Sequence, residues 1–507
     1  MKHTPRFVFT LSRHLRPFLL TPLIAFAEPE FPLTADSKPQ PGVPAGTMVK
    51  DAYVAVEQSV FPGTEREYQI YLPHGFDKTK PVPFMVFQDG VIYQAPVVFD
   101  NLIAKKDIPP LVGIFIKPGV VPAANENALP RFNRSYEYDS VTDTYSRFLI
   151  EEFLPAVERR HGLTLSTDAN DTAIAGNSSG GICAFMAAWH RPDRFRRVFT
   201  GVGTYVGIRG ADQLPVLVRK IEPKPIRVFL QSGTGDNNLY CGDWWMANQM
   251  MERSLSWAGY DVNHAWGEGG HNQKHASQVF PEAMRWLWRD WQTSREIKAN
   301  PRGESEWKGY EVCVEGNGWV GFPASEGGRM LSVDLSGKVS VADQMNKRAV
   351  RRDGLAVDGL KGVFPGKFLI GPATWAPDQT LLYASSGSAN RIFAVHVDEK
   401  GNTSKPQAYV ELQRDDWSAD CSPGGLCVDT EGRLYAATSL GIQVCDQAGR
   451  VNFIIPTPAQ PYDVCFGGKD LSELFIACGD AIYKRPTKAR GYISGQMAPV
   501  KPAPPKL

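Results

Sequence analysis

At 507 residues the chain is too long for one ordinary domain, and its length predicts two domains plus tails. An apolar content of 43% supplies sizeable cores, while a net charge of +1 with scattered Lys and Arg argues against a nucleic-acid surface. No apolar stretch is long and clean enough to span a bilayer.

The N-terminus has the make-up of an export signal. Lys2, Arg6, Arg13 and Arg16 form a basic region, residues 18–26 an apolar one interrupted by Thr21 and Pro22, and Ala25-Phe26-Ala27 an A-x-A cleavage site. Residues 1–27 are therefore expected to direct the protein to a secreted or periplasmic location and are excluded from fold reasoning. Residues 28–50, rich in Pro and small polar residues, read as an extended linker. Eight cysteines are too few for a disulfide scaffold in so long a chain. Cys313, Cys421, Cys427, Cys445, Cys465 and Cys478 lie in the last two-fifths of the chain, mostly in strand-like runs. Without a C-x-x-C pair they read as buried free thiols, with room for one disulfide in an exported protein, and a zinc site is not expected.

Residues 51–292 alternate strand and helix patterns. Residues 67–72 alternate as a half-buried strand, and 84–87 and 111–116 are continuous apolar runs of strands covered on both faces. A helix is predicted over 145–160, with Phe148, Leu149, Phe153 and Val157 on one face. Further strands fall at 172–175, 198–202, 226–230 and 263–266, and helices at 182–190, 244–258 and 276–291. This alternation predicts a doubly wound, largely parallel sheet. In such sheets ligands meet the carboxyl ends of the strands.

Chemistry-bearing residues stand at three of those ends. After 172–175 comes Gly176-Asn177-Ser178-Ser179-Gly180, a G-x-S-x-G turn between strand and helix that would hold Ser178 as a nucleophile. Gly176, Gly180 and Gly181 leave room where strand and helix meet, and the helix N-terminus offers free N–H groups to a developing oxyanion. After 226–230 comes Gln231-Ser232-Gly233-Thr234-Gly235-Asp236, and after 263–266 comes Gly267-Glu268-Gly269-Gly270-His271. A serine hydroxyl becomes nucleophilic when an imidazole takes its proton and a carboxylate fixes the imidazole's tautomer, so Ser178, His271 and Asp236 are the expected catalytic set. His264 and His275 lie nearby and His74, His161, His190 and His396 outside these loops. Asp243, the other candidate acid, better suits a helix N-cap. The oxyanion donors are expected from Ser179 and from the loop after 84–87, at Asp89 or Gly90.

The order Ser, Asp, His is that of the α/β-hydrolases, and residues 50–292 resemble the enterochelin-esterase and feruloyl-esterase group. The resemblance is carried by Phe61-Pro62-Gly63-Thr64, by 173–181 around Ser178, by Gly233-Thr234-Gly235-Asp236 and by 267–271. It implies hydrolysis of a carboxylic ester by a serine triad with no metal or other cofactor. It also implies that Arg134 and Glu137 lie near the site as substrate-binding residues, a salt bridge bracing the loop being the alternative. Ser232 departs from the pattern, standing where many similar sequences have a second aspartate. No siderophore-specific basic cluster is present. The aromatic residues Tyr93, Tyr136, Tyr138, Tyr240, Trp244 and Trp245 fall in loops that could flank the site, and Trp244 is the one taken as a substrate contact.

Residues 293–306 are polar, with Pro301 and Gly303, and read as a second linker. Residues 307–490 are all-β in texture, with strand–turn–strand units at 376–384, 428–436 and 466–477 and others at 333–339 and 445–451; this spacing predicts a partial or small β-propeller. Residues 370–485 resemble the senescence-marker-protein and gluconolactonase propellers, which implies one divalent cation at the axis. The resemblance sets Arg352, Gly371 and Gly424 at ligand positions, with Asp353, Asp416 or Asp420 as substitutes under a shifted alignment. Glycine has no side-chain donor and arginine repels a cation, so a packing or carbohydrate-binding role is expected. Residues 491–507 end in a Pro/Lys-rich run and are expected to be disordered. The reading is thus a secreted serine esterase acting on acylated carbohydrate or a similar small ester. Its alternatives are lactonase chemistry in the propeller and a non-catalytic carbohydrate-binding protein.

Overall fold

The computed structural model describes residues 30–125, 127–293, 296–298, 319–323, 330–342, 351–353, 372–385, 390–414, 421, 423–479 and 481–504. The expected signal segment and most of the 293–306 linker lie outside these residues.

The first half is an α/β layered fold. Its elements run β1 (Thr47–Val54), β2 (Glu65–Leu72), β3 (Phe84–Gln88), α1 (Ala95–Ala104), β4 (Val112–Ile116), β5 (Val120–Val121), β6 (Arg131–Phe132), α2 (Arg134–Tyr138), α3 (Thr144–Arg147) and α4 (Leu154–His161). There follow β7 (Thr172–Asn177), α5 (Ser179–His190), β8 (Arg197–Gly201), α6 (Leu214–Lys220), β9 (Arg227–Gly235), β10 (Asn238–Leu239), β11 (Gly242–Asp243), α7 (Trp244–Ala258), β12 (Asp261–Gly270) and α8 (Lys274–Leu287). One sheet runs in the order β12-β9-β8-β7-β3-β4-β2-β5-β6, with β1 on β2. The six strands from β12 to β4 are parallel, and β2 is antiparallel to β4. Strands β3, β4, β7 and β8 are buried at every residue, as continuous apolar runs require when helices cover both faces.

The helix predicted over 145–160 is interrupted. Between α3 and α4, Phe148–Phe153 forms a π turn in which the Leu154 N–H reaches back to the Leu149 carbonyl. Pro155 follows at once and lacks the N–H an α-helix would use; the wider turn takes up that defect. It also explains the five-residue step from Phe148 to Phe153, both fully buried.

The described part of the expected linker, residues 30–50, is no free spacer. Phe31 stacks on His275 at 4.5 Å, Asp36 pairs with Lys105 and Arg285, and Asn101 donates to the Asp36 carbonyl. Strand β1 then begins at Thr47, inside the expected linker. Side-chain charge and one aromatic ring anchor a stretch whose composition looks like spacer.

The second half is all-β. Strands Ala373–Trp375, Leu381–Ser385, Arg391–His396 and Gln407–Glu411 form one antiparallel sheet. Leu426–Asp429, Leu434–Thr438, Gly441–Cys445 and Val451–Ile455 form another, joined at its edge by Gly491–Tyr492. In a third, Val320–Pro323 pairs with Ala481–Pro486, bringing the earliest described strand of this half onto a sheet built by strands between residues 461 and 486. The tail expected to be disordered is instead ordered as far as residue 504: Tyr492 is buried, and the Val500 N–H donates to the Pro377 carbonyl. A Pro-rich run needs no strand partner to be fixed if it lies against a packed surface.

The two halves share an interface. Ile221, just after α6, bridges to Ile454, and the Glu222 carboxylate takes both arms of Arg485 at 2.6 and 2.8 Å. One buried apolar cluster includes Leu217, Val218 and Ile221 together with Cys445, Val451 and Ile454.

Candidate active site

Strand β7 ends in a turn too tight for side chains. A Cβ on Gly176 would lie 2.0 Å from the Gly180 carbonyl oxygen, and one on Gly181 would lie 2.8 Å from Thr200 Oγ1. The chain therefore passes through Ser178 with φ 58° and ψ −122°, a conformation L-residues rarely adopt. It is held there by the Ser178 N–H donating to Gly201 (2.8 Å) and the Thr204 N–H donating to the Ser178 carbonyl (3.2 Å).

The structure brings Ser178, His271 and Asp236 together. His271 Nε2 lies 2.7 Å from Ser178 Oγ, and Nδ1 lies 2.6 Å from Asp236 Oδ1. The Asp236 side chain is fully enclosed and also accepts from the Asn237 N–H (2.8 Å) and the Ser232 hydroxyl (2.7 Å). Ser232, the departure noted in the sequence, thus donates to the carboxylate and orients it.

A bulge delivers His271. Gly267 pairs with Gly233 but Gly270 with Gly235, so β12 carries one extra residue before the imidazole. The glycines are required by contact: a Cβ on Gly233 would sit 2.3 Å from the Gly269 carbonyl oxygen, and one on Gly267 would sit 2.6 Å from the His275 ring.

The other candidates are engaged elsewhere. His275 is bonded to Gln231 and its pKa is lowered by burial; His264 stacks on Trp266; His190 bonds the Val141 carbonyl. Asp243 caps α7 by accepting from the Met246 N–H at 3.0 Å.

Of the expected oxyanion donors, Gly90 is corrected: its N–H donates to the Ile116 carbonyl at 3.1 Å. Ser179 is the first residue of α5, so its N–H has no acceptor within the helix. Asp89 follows β3 with φ 68°. Two substrate contacts are also corrected. Glu137 is buried and takes both arms of Arg66 (2.9 and 3.1 Å), a pairing between residues 71 apart, and so belongs to the core. Trp244 is buried with its ring centroid 5.5 Å from that of His271 in a T-shaped contact, its N–H donating to Thr204 Oγ1 at 3.2 Å. Arg134 grips Asp89 through two bonds of 2.7 and 2.8 Å.

Two residues were missed. Thr204 Oγ1 lies 3.3 Å from Ser178 Oγ, linking it to Trp244; its place after β8, at a strand's carboxyl end, was the available signal. Asp139 is buried beside this region with Oδ1 unpartnered, and burial raises its pKa against the pull of the Ser135 and Ser179 hydroxyls. No local pattern marks it.

A strained serine after a buried strand, an imidazole on a bulged strand end and an enclosed carboxylate define an α/β fold of the hydrolase class. Residues 59–290 match the family described as "Putative esterase", and residues 371–479 the family "SMP-30/Gluconolactonase/LRE-like region", so the chain joins an esterase-family domain to a gluconolactonase-like β region. Among curated relatives, iron(III) enterobactin esterase of Dickeya dadantii (strain 3937) is 29% identical over 152 residues, covering 27% of this chain and 33% of that one. Regucalcin of Oryctolagus cuniculus is 29% identical over 109 residues, covering 20% of this chain and 35% of that one. The chain thus spans about a third of the length of these relatives. Among solved structures, an enterobactin esterase from Shigella flexneri aligns with TM-score 0.38 and 21% identity over 51% of this chain and 62% of that one. A ferulic acid esterase from Anaeromyces mucronatus aligns with TM-score 0.39 and 20% identity over 50% and 94%.

The described residues of the β region do not fit the cation its family resemblance implies. At Gly424 a Cβ would lie 2.4 Å from the Tyr462 carbonyl oxygen, and Asp353 is held by Arg351. Asp463, buried nearby, accepts from the Val464 and Leu331 N–H groups. Gly371, Asp416 and Asp420 lie outside the described residues. Among the described residues no group of three His, Cys, Asp or Glu side chains could hold a metal ion.

Proposed function

We propose that this protein is a serine carboxylic-ester hydrolase acting through an acyl-enzyme. The observation that carries the reading is the continuous row Asp236–His271–Ser178, with contacts of 2.6 and 2.7 Å. In this reading Ser178 Oγ attacks the ester carbonyl as His271 Nε2 takes its proton, and Asp236 stabilises the imidazolium. The developing oxyanion receives N–H bonds from Ser179 and Asp89. His271 then returns the proton to the leaving alcohol, and a water activated by the same imidazole releases the acid. The esterase-family match over 59–290 supports an ester substrate. An acylated carbohydrate or similar small ester is the substrate class we infer, and export to a secreted or periplasmic location fits the basic and apolar start of the chain.

The gluconolactonase-like match supports lactone hydrolysis as the second reading, and the donor set described above weighs against it. Hydrolysis of p-nitrophenyl acetate and of a sugar lactone by wild type, Ser178→Ala and EDTA-treated protein separates the two. Serine-dependent, chelator-resistant turnover is expected; ester turnover retained in Ser178→Ala, or lactone turnover abolished by EDTA, would overturn the assignment.

A further inference from the structure

We propose that Arg134 is a positioning residue for the oxyanion site: its grip on the Asp89 carboxylate holds the Asp89 N–H where it can donate to the reacting carbonyl oxygen. The inference rests on the serine-esterase reading above.

Asp89 leaves β3 at φ 68°, in the left-handed region, which aspartate enters more readily than most residues but which glycine alone occupies without a steric penalty. Such a conformation persists where its surroundings over-determine it. Two constraints do so here. On one side the Gly90 N–H is tied to the Ile116 carbonyl at 3.1 Å. On the other, Arg134 Nε and Nη2 hold Asp89 Oδ1 and Oδ2 at 2.7 and 2.8 Å, a planar fork that fixes the carboxylate's direction as well as its place.

The held residue is beside the elbow. Phe87, two residues before Asp89, is the last residue of β3 to pair with β7, opposite Ala175 and so three residues before Ser178. A Cβ on Gly180 would lie 3.0 Å from Asp89 Oδ2, which puts the carboxylate against the first turn of α5 and near Ser179, the other donor. Both oxygens of Asp89 are occupied by the guanidinium, whose side chain is 39% exposed. An ion pair that exposed contributes little to stability. A large loss of turnover on removing it therefore reports geometry and not unfolding.

The test is steady-state hydrolysis of p-nitrophenyl acetate, a neutral ester that offers Arg134 no charge, by Arg134→Ala, Arg134→Lys and the double variant Arg134→Ala/Asp89→Gly, with thermal unfolding of each. Expected are a kcat loss of about tenfold to a hundredfold in Arg134→Ala, KM within about twofold, and an unfolding midpoint close to wild type. Arg134→Lys recovers part of the loss, since an ammonium keeps the charge without the fork. The double variant recovers more, because glycine reaches φ 68° without a clamp. A rise in KM alone, an unchanged kcat, or a double variant as slow as Arg134→Ala would each overturn the proposal. Ser178→Ala, run alongside, tells which idea has failed: its full activity removes the serine reading itself, whereas its inactivity beside a fully active Arg134→Ala removes only the role of Arg134.

Discussion

Asp236→Asn puts the greatest load on the proposed chemistry for the least change of shape. The carboxylate accepts three bonds, from His271 Nδ1 at 2.6 Å, the Asn237 N–H at 2.8 Å and the Ser232 hydroxyl at 2.7 Å, with its side chain closed to solvent. An amide has one acceptor oxygen. Nδ1 and the Asn237 N–H share Oδ1 while Ser232 donates to Oδ2; if the amide oxygen stays with Ser232, the NH2 group takes the Oδ1 side, turns away the Asn237 N–H and faces Nδ1. The imidazole must then present a lone pair there and carry its proton on Nε2, aimed at Ser178 Oγ 2.7 Å away. The base is blocked by its own hydrogen. Inverting the tautomer in this way costs about 10³ to 10⁴ in kcat, or about 4–5 kcal/mol of barrier. KM should change little, because the lost interaction belongs to the transition state. The assay is kcat and KM for p-nitrophenyl acetate, with circular dichroism to verify the fold. A folded variant within tenfold of wild type would refute the assignment of Asp236 and the tautomer argument with it.

Three further perturbations test other parts of the structure. Gly176→Ala would put a methyl 2.0 Å from the Gly180 carbonyl oxygen, forcing β7 and α5 apart, and a kcat loss of at least about a hundredfold is expected in the same assay. Lys224 lies 4.1 Å from the Trp189 ring centroid and donates to its carbonyl, and burial pulls its pKa down to about 7. The unfolded chain holds that proton up to about pH 10.4, so the penalty is full below pH 7 and fades as pH rises. Urea midpoints should therefore climb between about pH 7 and 10 in wild type, with a flatter profile in Lys224→Met. Glu222→Gln takes the charge off the carboxylate that holds both arms of the buried Arg485; a loss of about 1–2 kcal/mol in urea unfolding is expected, with kcat on p-nitrophenyl acetate unchanged.

The sheet and the Ser178, Asp236 and His271 constellation were legible because each is written locally. Continuous apolar runs mark strands buried on both faces, and the rule that ligands meet strand ends selects one loop after each. Glu137 and Gly90 were illegible for a different reason. Glu137 is disposed of by Arg66, whose approach depends on how β2 and α2 fold together and leaves no trace in spacing. Which way the Gly90 amide points is decided by the left-handed turn at Asp89 one residue earlier, a dihedral that composition does not encode. The anchored segment around Phe31 and Asp36 failed likewise: Pro and small polar residues describe a spacer until the partners at His275, Lys105 and Arg285 are in place.

The position of the β region's contact bears on what that region does. Ile221 and Glu222 lie between α6 and the start of β9, whereas Asp236 lies just past the other end of that strand. Nine residues of strand separate the two levels, and at roughly 3.3 Å each that is on the order of 30 Å. A side-chain pair at the amino end of a parallel sheet cannot wall a site built at its carboxyl end. What this contact can do is brace β9, the strand whose far end carries Ser232 and leads directly into Asp236. Loosening it should therefore reach the chemistry only by unfolding the strand, which is why stability and turnover are expected to separate in Glu222→Gln.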